Sequence, residues 1–359
     1  MFEASALRRR SNSIRRNTSY SKPSVFSSMN LTPNLQVKEN ALLAIGNTPI
    51  VKLNKLTRGL DANVFVKLEF YNPTGSYKDR MALAMIEGAE REGLLTPGST
   101  VVEYTGGSTG SSLAFVCAVK GYKLKIVTSD AFSEEKRNTM KAFGAELTIV
   151  PSKGGRITPS LIPEMMKVAE ELGREPGAFR TDQFYNRNAM RGYNKLGTEI
   201  LDQLGDKANA FVASFGTGGC AMGVAEVLKA KDRSIGVFLV EPAESPMVSE
   251  GRTGTHHIEG IGVGFVPPLL RNELYDEILA VSTEESQEMA RRLAREEGIF
   301  SGTSTGANVL ASLKIAEKLG GGKNIVTLAV DSGLKYLSTE VYSQSAGHSR
   351  KNSASGAAS

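Results

Sequence analysis

The sequence predicts an α/β protein with two domains, each built on a mainly parallel, twisted sheet covered by helices. Short runs rich in Val, Ile and Leu alternate with longer segments of helical periodicity, and glycine-rich turns separate them. Strands separated by helices favour parallel pairing, because the chain must cross over a sheet face before it returns to the same edge. A length of 359 residues favours two domains over one.

The predicted elements follow one another in β and α alternation. Strands are predicted at 64–68, 100–104, 125–129, 146–150, 179–181, 210–214, 236–240, 277–281 and 324–330. Helices are predicted at 77–92, 109–120, 133–143, 158–172, 187–204, 219–231, 283–297 and 305–319.

The two ends of the chain differ in composition from the part between them. Residues 1–30 contain six Lys or Arg residues and one acidic residue, which accounts for the net charge of +5. We predict that residues 1–35 are a disordered basic tail or a mitochondrial presequence, and that 345–359 are a second disordered tail. The remainder is near neutral, so no nucleic-acid partner is expected.

Cysteine and histidine usage narrows the possible sites. Cys117 and Cys220 lack CxxC spacing, so a disulfide framework is not expected and a reducing compartment fits better. Two of the three histidines, His256 and His257, are adjacent, and the pattern supports neither a His-based triad nor a metal site. No apolar run is long enough to span a bilayer. We predict a cytoplasmic or mitochondrial protein.

The segment Asn72-Pro73-Thr74-Gly75-Ser76-Tyr77-Lys78-Asp79-Arg80 opens a helical pattern. Pro73, Gly75 and Ser76 interrupt the chain and can cap the helix, so Lys78 falls in its first turn. The positive end of the helix dipole lies there and disfavours an ammonium. Lys78 therefore gains from being neutral, as a free amine or as an imine. The alternative is a surface lysine that extends its charge into water.

Three glycine-rich loops, 215–220, 104–110 and 302–306, are predicted at strand-to-helix junctions. The first offers bare N–H groups for an anion such as phosphate, and the second adds hydroxyls that suit a carboxylate. Ordinary turns and helix caps are the alternative for each loop. In parallel sheets such junctions gather at one edge, so we expect the loops to meet Lys78. An imine-forming lysine near one loop that suits a phosphate and another that suits a carboxylate suggests pyridoxal phosphate (PLP) and an amino-acid substrate.

On these motifs, the chain resembles the cysteine synthase and cystathionine β-synthase family of PLP enzymes, which has fold type II. The resemblance runs from about Ala44 to Tyr342 and is carried by 72–80, 105–110, Gln183-Phe184, 216–219, 259–265, 302–306 and 336–339. It implies a large PLP-binding domain formed by 36–78 and 187–344, and a small mobile domain, 79–186, that carries the substrate-carboxylate loop. It also implies a homodimer.

The resemblance implies a role for each matching residue. Lys78 is expected to be the Schiff-base lysine and the base that removes the substrate Cα proton. Ser304 is expected to hydrogen-bond the pyridine nitrogen, which in this family favours β-elimination over transamination. The other cofactor positions are Ser108, Gly216, Thr217, Gly218, Gly219 and Cys220, and the substrate positions are Thr105, Gly106, Thr109, Gln183, Gly260 and Ile261. Capping, turn or strand-end hydrogen bonds are the alternative for Thr105, Thr109, Gln183 and Ser304.

Two departures from the family pattern concern substrate choice. Typical members have Thr-Ser-Gly-Asn-Thr-Gly where this chain has 105–110, so a serine is replaced by Gly106 and an asparagine by Ser108. We expect Gly106 to widen the carboxylate pocket and Ser108 to reach the cofactor's ring oxygen less fully. Cys220 stands where threonine is usual, so one hydroxyl contact to the phosphate is lost.

The resemblance implies β-replacement on an activated L-serine, such as O-acetylserine, through an aminoacrylate, with sulfide giving L-cysteine. The run Gly-Ile-Gly-Val-Gly-Phe at 260–265 resembles cysteine synthase, because cystathionine β-synthases tend to have tyrosine and aspartate after Gly-Ile-Gly. The alternatives are a serine or threonine dehydratase, β-replacement with another nucleophile, and a PLP-binding partner protein without turnover.

Overall fold

The computed structural model describes residues 37–343 apart from 156, 157, 159 and 206. The predicted tails, 1–35 and 345–359, lie outside the described residues. From Lys38 onward the described residues belong to one compact unit. No helix among them is both long and apolar enough to cross a membrane.

The described strands form two sheets. A six-stranded sheet has the order β1-β2-β10-β7-β8-β9, and a four-stranded sheet has the order β5-β4-β3-β6. The strands are β1 Ile50–Lys52, β2 Asn63–Leu68, β3 Thr100–Tyr104, β4 Lys123–Ser129, β5 Glu146–Val150, β6 Ala178–Arg180, β7 Ala210–Ser214, β8 Gly236–Pro242, β9 Glu277–Val281 and β10 Asn324–Ala329.

Parallel pairing dominates both sheets. Every described strand pair is parallel except β1 with β2 at one edge of the larger sheet. The central strand β7 is buried along its whole length, as expected of a strand covered on both faces. The predicted α/β class with helix-covered, mainly parallel sheets is therefore confirmed.

The helices fill the connections between the strands. They are α1 Lys78–Arg91, α2 Ser108–Lys120, α3 Glu134–Ala142, α4 Leu161–Gly173, α5 Arg187–Arg191, α6 Asn194–Leu204, α7 Gly219–Lys231, α8 Met247–Glu250, α9 Thr283–Arg292, α10 Thr303–Leu319 and α11 Glu340–Ser343.

Three sequence predictions need correction, and one strand, β1, was not predicted. The helix predicted at 187–204 is divided into α5 and α6 near Gly192, where a Cβ would lie 2.7 Å from the carbonyl oxygen of Arg80. The helix predicted at 283–297 becomes a π-helix at Leu293–Glu297. The edge strand β1 is too short for a periodic signal. The loop before α10 follows an isolated bridge between Ser301 and Ser332, not a strand.

The largest hydrophobic cluster connects both sheets through helices. It includes Met81 of α1, Leu113 of α2 and Val224 of α7 together with Val101 and Phe211 of the two sheets. All four strands of the smaller sheet fall within the predicted small domain, 79–186. The boundary and the mobility of that domain stay predictions.

Candidate active site

Lys78 is the first residue of α1 and is only 9 % exposed. Its Nζ lies 4.9 Å from the centroid of the Tyr77 ring. Among the described residues its ammonium has neither a hydrogen bond nor an ion pair. Burial lowers the pKa of Lys78 to about 8, although nearby Cys220 and Asp331 oppose this shift. A lysine that loses its proton so readily can act as a nucleophile and a base near neutral pH.

The loop before Lys78 is held by Asp79, the residue that directly follows Lys78. The Asp79 carboxylate accepts a hydrogen bond from the Thr74 backbone N–H at 2.8 Å and another from the Thr74 hydroxyl at 2.6 Å. The Lys78 N–H donates to the Ser76 hydroxyl oxygen at 3.3 Å. Asp79 also places a negative charge at the positive end of the helix. The position of Lys78 is thus fixed by local hydrogen bonds, and its own side chain stays free.

Four charged residues behind Lys78 form a group that we call the buried ion network: Lys67, Glu69, Arg80 and Glu199. Arg80 donates to Glu69 at 2.7 and 2.8 Å and to Glu199 at 2.9 and 2.8 Å. The ammonium of Lys67 lies 2.9 Å from Glu199. Burial raises the pKa of Glu199, but Arg80 and Lys67 outweigh burial and lower it to about 2. These buried charges balance one another and fasten α1 to β2 and α6.

The loop between β7 and α7 is the predicted phosphate cradle. Within the part of the chain that the structure describes, the N–H groups of Gly216, Thr217, Gly218 and Cys220 have no hydrogen-bond acceptor. Free N–H groups at a helix start bind anions. Burial raises the pKa of the Cys220 thiol, so this residue adds no negative charge at neutral pH.

The phosphate cradle meets the 260–262 loop. A Cβ at Gly216 would lie only 2.3 Å from the Gly260 carbonyl oxygen, so the two backbones are in direct contact. Ile261 next to it is buried. The structure therefore brings the predicted cofactor loop and the predicted substrate entrance together.

The predicted carboxylate-binding residues also cluster. The Thr109 hydroxyl donates to Gln183 Oε1 at 2.8 Å, and Gln183 Nε2 donates to the Tyr104 carbonyl oxygen at 3.2 Å. The hydroxyl oxygen of Thr105 accepts from the Gly107 N–H at 3.0 Å. These contacts are also what the capping and turn interpretation of Thr105, Thr109 and Gln183 requires, so their role toward a substrate stays a prediction.

The environment of Gly106 corrects one expectation. A Cβ at this position would lie 2.8 Å from Cε1 of Phe132, so an aromatic ring lies where the family's serine side chain would extend. The pocket is therefore not widened as expected. Ser108 is close to Asp331 instead, with 3.4 Å between its hydroxyl and the Asp331 Oδ2 atom.

The start of α10 offers unpaired hydroxyls. Ser304 and Thr303 are both 3 % exposed. Thr303 Oγ1 has no hydrogen-bond partner among the described residues, and neither does Asp331 Oδ1. The other Asp331 oxygen accepts from the Tyr336 hydroxyl at 2.7 Å. Buried polar atoms without partners are costly unless a ligand or water satisfies them, so these groups fit a bound polar molecule.

Two acidic residues of the site were missed in the sequence. Glu103, inside β3, accepts hydrogen bonds from the Thr181 hydroxyl at 2.6 Å and the Gln183 N–H at 3.1 Å. Burial raises the pKa of Glu103 to about 7, although these two hydrogen bonds act in the opposite direction. Its signal was an acid within an apolar strand. Asp331 lies two residues after the end of β10, at the carboxyl end where ligands bind in such sheets.

The fold and these residues define a PLP-dependent enzyme. The lysine without a partner, the open N–H groups of the glycine loop and the unpaired hydroxyls fit the amine-reactive, phosphate and ring portions of that cofactor. The family model "Pyridoxal-phosphate dependent enzyme" matches residues 41–331. The chain belongs to this family, and the predicted cysteine synthase and cystathionine β-synthase type is confirmed by its relatives.

Three relatives each match most of this chain. The chain is 45 % identical to a cysteine synthase of Staphylococcus aureus over 307 residues, which covers 85 % of this chain and 97 % of that protein. The crystal structure of a cysteine synthase from Entamoeba histolytica is 36 % identical, with a TM-score of 0.81, and covers 88 % of this chain and 93 % of that one. An O-ureido-L-serine synthase is also 36 % identical, with a TM-score of 0.80 and coverage of 88 % and 98 %.

Proposed function

We propose that this protein catalyses β-replacement on an activated L-serine of the O-acetylserine type, with sulfide as the nucleophile and L-cysteine as the product. The observation that carries the proposal is the buried Lys78 amine, which has no hydrogen-bond or ion-pair partner among the described residues and lies at a helix start beside an open anion cradle. The cysteine synthases among the relatives support the choice of product.

The chain's own residues divide the work of holding the cofactor. The N–H groups of the 216–220 loop would hold the phosphate, and the Ser304 hydroxyl would hydrogen-bond the ring nitrogen. PLP, when bound, supplies an aldehyde carbon for the lysine amine and an electron-withdrawing ring that acidifies the substrate Cα–H bond. Because Ser304 is neutral, it does not stabilise a proton on the ring nitrogen.

The substrate would be held by its carboxylate and deprotonated by Lys78. Thr105 and Thr109 offer hydroxyl donors at the start of α2, where the helix dipole also favours an anion. Gln183, which contacts Thr109, adds an amide donor beside them. Lys78 Nζ takes the Cα proton because its lowered pKa leaves part of the amine neutral near neutral pH. The C–O bond to acetate breaks, the C–S bond to the nucleophile forms, and Lys78 returns the proton to Cα.

The small domain, 79–186, is expected to close over the bound substrate because its loop carries the carboxylate donors. We also propose a homodimer without a nucleic-acid partner, in a cytoplasmic or mitochondrial compartment. The near-neutral composition outside residues 1–30 supports the absence of a nucleic-acid surface.

The test mixes the PLP-loaded protein with O-acetylserine and follows the visible spectrum before and after sulfide is added. We expect a band shift to longer wavelength, its discharge by sulfide, and stoichiometric formation of cysteine and acetate. Pyruvate and ammonia as the main products would favour the dehydratase alternative. An unchanged spectrum with PLP firmly bound would contradict the proposal and favour a binding protein without turnover.

A further inference from the structure

One face of α3 and the turn before it lies against the glycines of the substrate loop. Three side chains spaced by four residues approach three glycines so closely that a Cβ on any of them would collide. The pairs are Gly106 with Phe132 at 2.8 Å, Gly107 with Lys136 at 2.4 Å, and Gly110 with Met140 at 2.3 Å. Lys136 and Met140 have flexible side chains that can yield, whereas the aromatic ring of Phe132 is rigid.

The Phe132 backbone is fixed on both sides. Its N–H donates to the Ser129 carbonyl oxygen at 3.3 Å, and its own carbonyl oxygen accepts from the Arg137 guanidinium at 2.5 Å. Arg137 holds the Ser129 carbonyl as well, at 3.2 Å. The ring is therefore presented to Gly106 by a backbone with little freedom to withdraw.

The ring belongs to an apolar wall that extends to the entrance loop. Phe132, Val263 and Phe265 all pack against the hydrophobic cluster that contains Tyr104 and Phe184. The rings of Phe184 and Phe265 are 5.1 Å apart between centroids. Phe184 directly follows Gln183, whose amide holds Thr109, so the wall adjoins the expected carboxylate site.

The cation next to this wall is already neutralised. Lys136 is 5 % exposed, forms an ion pair with Glu259, and lies 4.6 Å from the centroid of the Tyr336 ring. A nucleophile with a carboxylate of its own would have to displace Glu259 from Lys136 to find a counter-charge there. Burying such a carboxylate against aromatic rings without a partner is costly.

We infer that Phe132 is a specificity-determining residue, whose ring excludes bulky thiols. Together with the Lys136–Glu259 pair, which leaves a nucleophile's carboxylate without a counter-charge, it selects small sulfur nucleophiles over amino-acid thiols. The inference rests on the proposed function and narrows its second substrate to sulfide or a short alkyl thiol. The step balances without an oxidant: the thiol sulfur forms the C–S bond, acetate leaves with the C–O electron pair, and the thiol proton is released.

The test compares holoenzymes at saturating O-acetylserine, with sulfide, ethanethiol and homocysteine as nucleophiles. For Phe132→Ala we expect kcat/KM for homocysteine relative to sulfide to rise at least about tenfold, because a contact surface the size of a ring is removed from the pocket. Ethanethiol has no carboxylate, so its rate reports the effect of nucleophile size without the effect of nucleophile charge. Phe132→Leu serves as the milder variant, and Phe143→Ala, at the other end of α3, should leave the ratio unchanged.

A coupled pair of substitutions tests the geometry. Gly106→Ser should raise the KM for O-acetylserine about tenfold or more, because its Cβ collides with the ring. Adding Phe132→Ala to Gly106→Ser should recover most of that loss. An unchanged nucleophile ratio in both Phe132 variants, or additive effects of the pair, would overturn the inference. If the wild-type enzyme forms no cysteine, the proposed function fails instead.

Discussion

Lys78 and Arg80 are two buried cations separated by one residue at the start of α1, and their surroundings are opposite. Arg80 is bound by two carboxylates within the buried ion network, whereas Lys78 has an aromatic ring and no counter-ion of its own among the described residues. A buried charge that is fully paired serves the fold, and one that is left unpaired indicates chemistry. Substitutions at the two positions should therefore fail in different ways.

The largest effect is expected on turnover when Lys78 is replaced. Lys78→Met removes both the amine and the base, so cysteine formation should fall by about 10²- to 10⁴-fold or more. The measurement is the initial rate with O-acetylserine and sulfide, together with borohydride trapping of PLP on the protein. Lys52→Met, at an exposed lysine of β1, is the control, and residual turnover near the wild-type rate in Lys78→Met would contradict the role of this residue.

Arg80→Met should act on stability. It leaves the carboxylates of Glu69 and Glu199 buried, with one cation, Lys67, between them, and the expected loss is about 3–5 kcal/mol in the free energy of unfolding. Urea denaturation measures it. Arg252→Met breaks an exposed pair with Glu250 and should cost well under about 1 kcal/mol. Equal effects at the two arginines would refute the distinction between the network and the surface.

The same Lys78→Met variant should be more stable than the wild type when PLP is absent. The folded-state pKa of about 8 lies below the ordinary 10.5, so the unfolded chain binds the extra proton between these values. Wild-type stability therefore rises with pH from about 8 to 10.5, by on the order of 3 kcal/mol. The advantage of Lys78→Met at pH 7 should disappear near pH 10.5, and a gap that does not depend on pH would contradict the buried-amine argument.

The glycines of the phosphate cradle extend the comparison to backbone groups. Gly216→Ala places a Cβ against the Gly260 carbonyl, a backbone atom that cannot move alone, and should cost about 1–3 kcal/mol of stability as well as PLP affinity. At Gly219 the nearest atom to a new Cβ is 3.4 Å away. Gly219→Ala should therefore keep the thermal unfolding temperature of the cofactor-free protein, and similar losses in both variants would reject this geometry.

The smallest effect is expected at the carboxylate loop. Thr109→Ala removes the bond to Gln183 and a substrate donor, so the KM for O-acetylserine should rise about tenfold or more while PLP stays bound. Thr198→Ala is the matched control, because it removes the exposed hydroxyl of a threonine on α6. Unaltered substrate affinity in Thr109→Ala would support the capping interpretation.

Much of the site could be predicted because its residues are close together in the sequence. The 72–80, 104–110 and 215–220 segments each carry glycine or proline signals beside a periodic element, and all three adjoin the predicted helices α1, α2 and α7. The segments after β2 and β7 share one edge because both strands run parallel in the larger sheet. The 104–110 segment follows β3 of the smaller sheet, so its approach to them depends on how the two sheets pack. Glu103 and Asp331 escaped prediction because a single acid in or after a strand, although visible in the sequence, does not show whether it faces a site or the solvent.

The α/β class, the helix that begins at Lys78 and the glycine loops could be predicted from local sequence, since propensity, periodicity and caps act over a few residues. That Arg80 is fully paired, and that Lys78 has no partner among the described residues, follows only from the three-dimensional packing. Glu199 lies on α6, far along the chain from Arg80, and Gly192 between α5 and α6 allows the chain to approach the Arg80 carbonyl on α1. The packing likewise placed the ring of Phe132 on Gly106. Burial and charge pairing depend on which residues, distant along the chain, become neighbours in space, and no local sequence pattern predicts that.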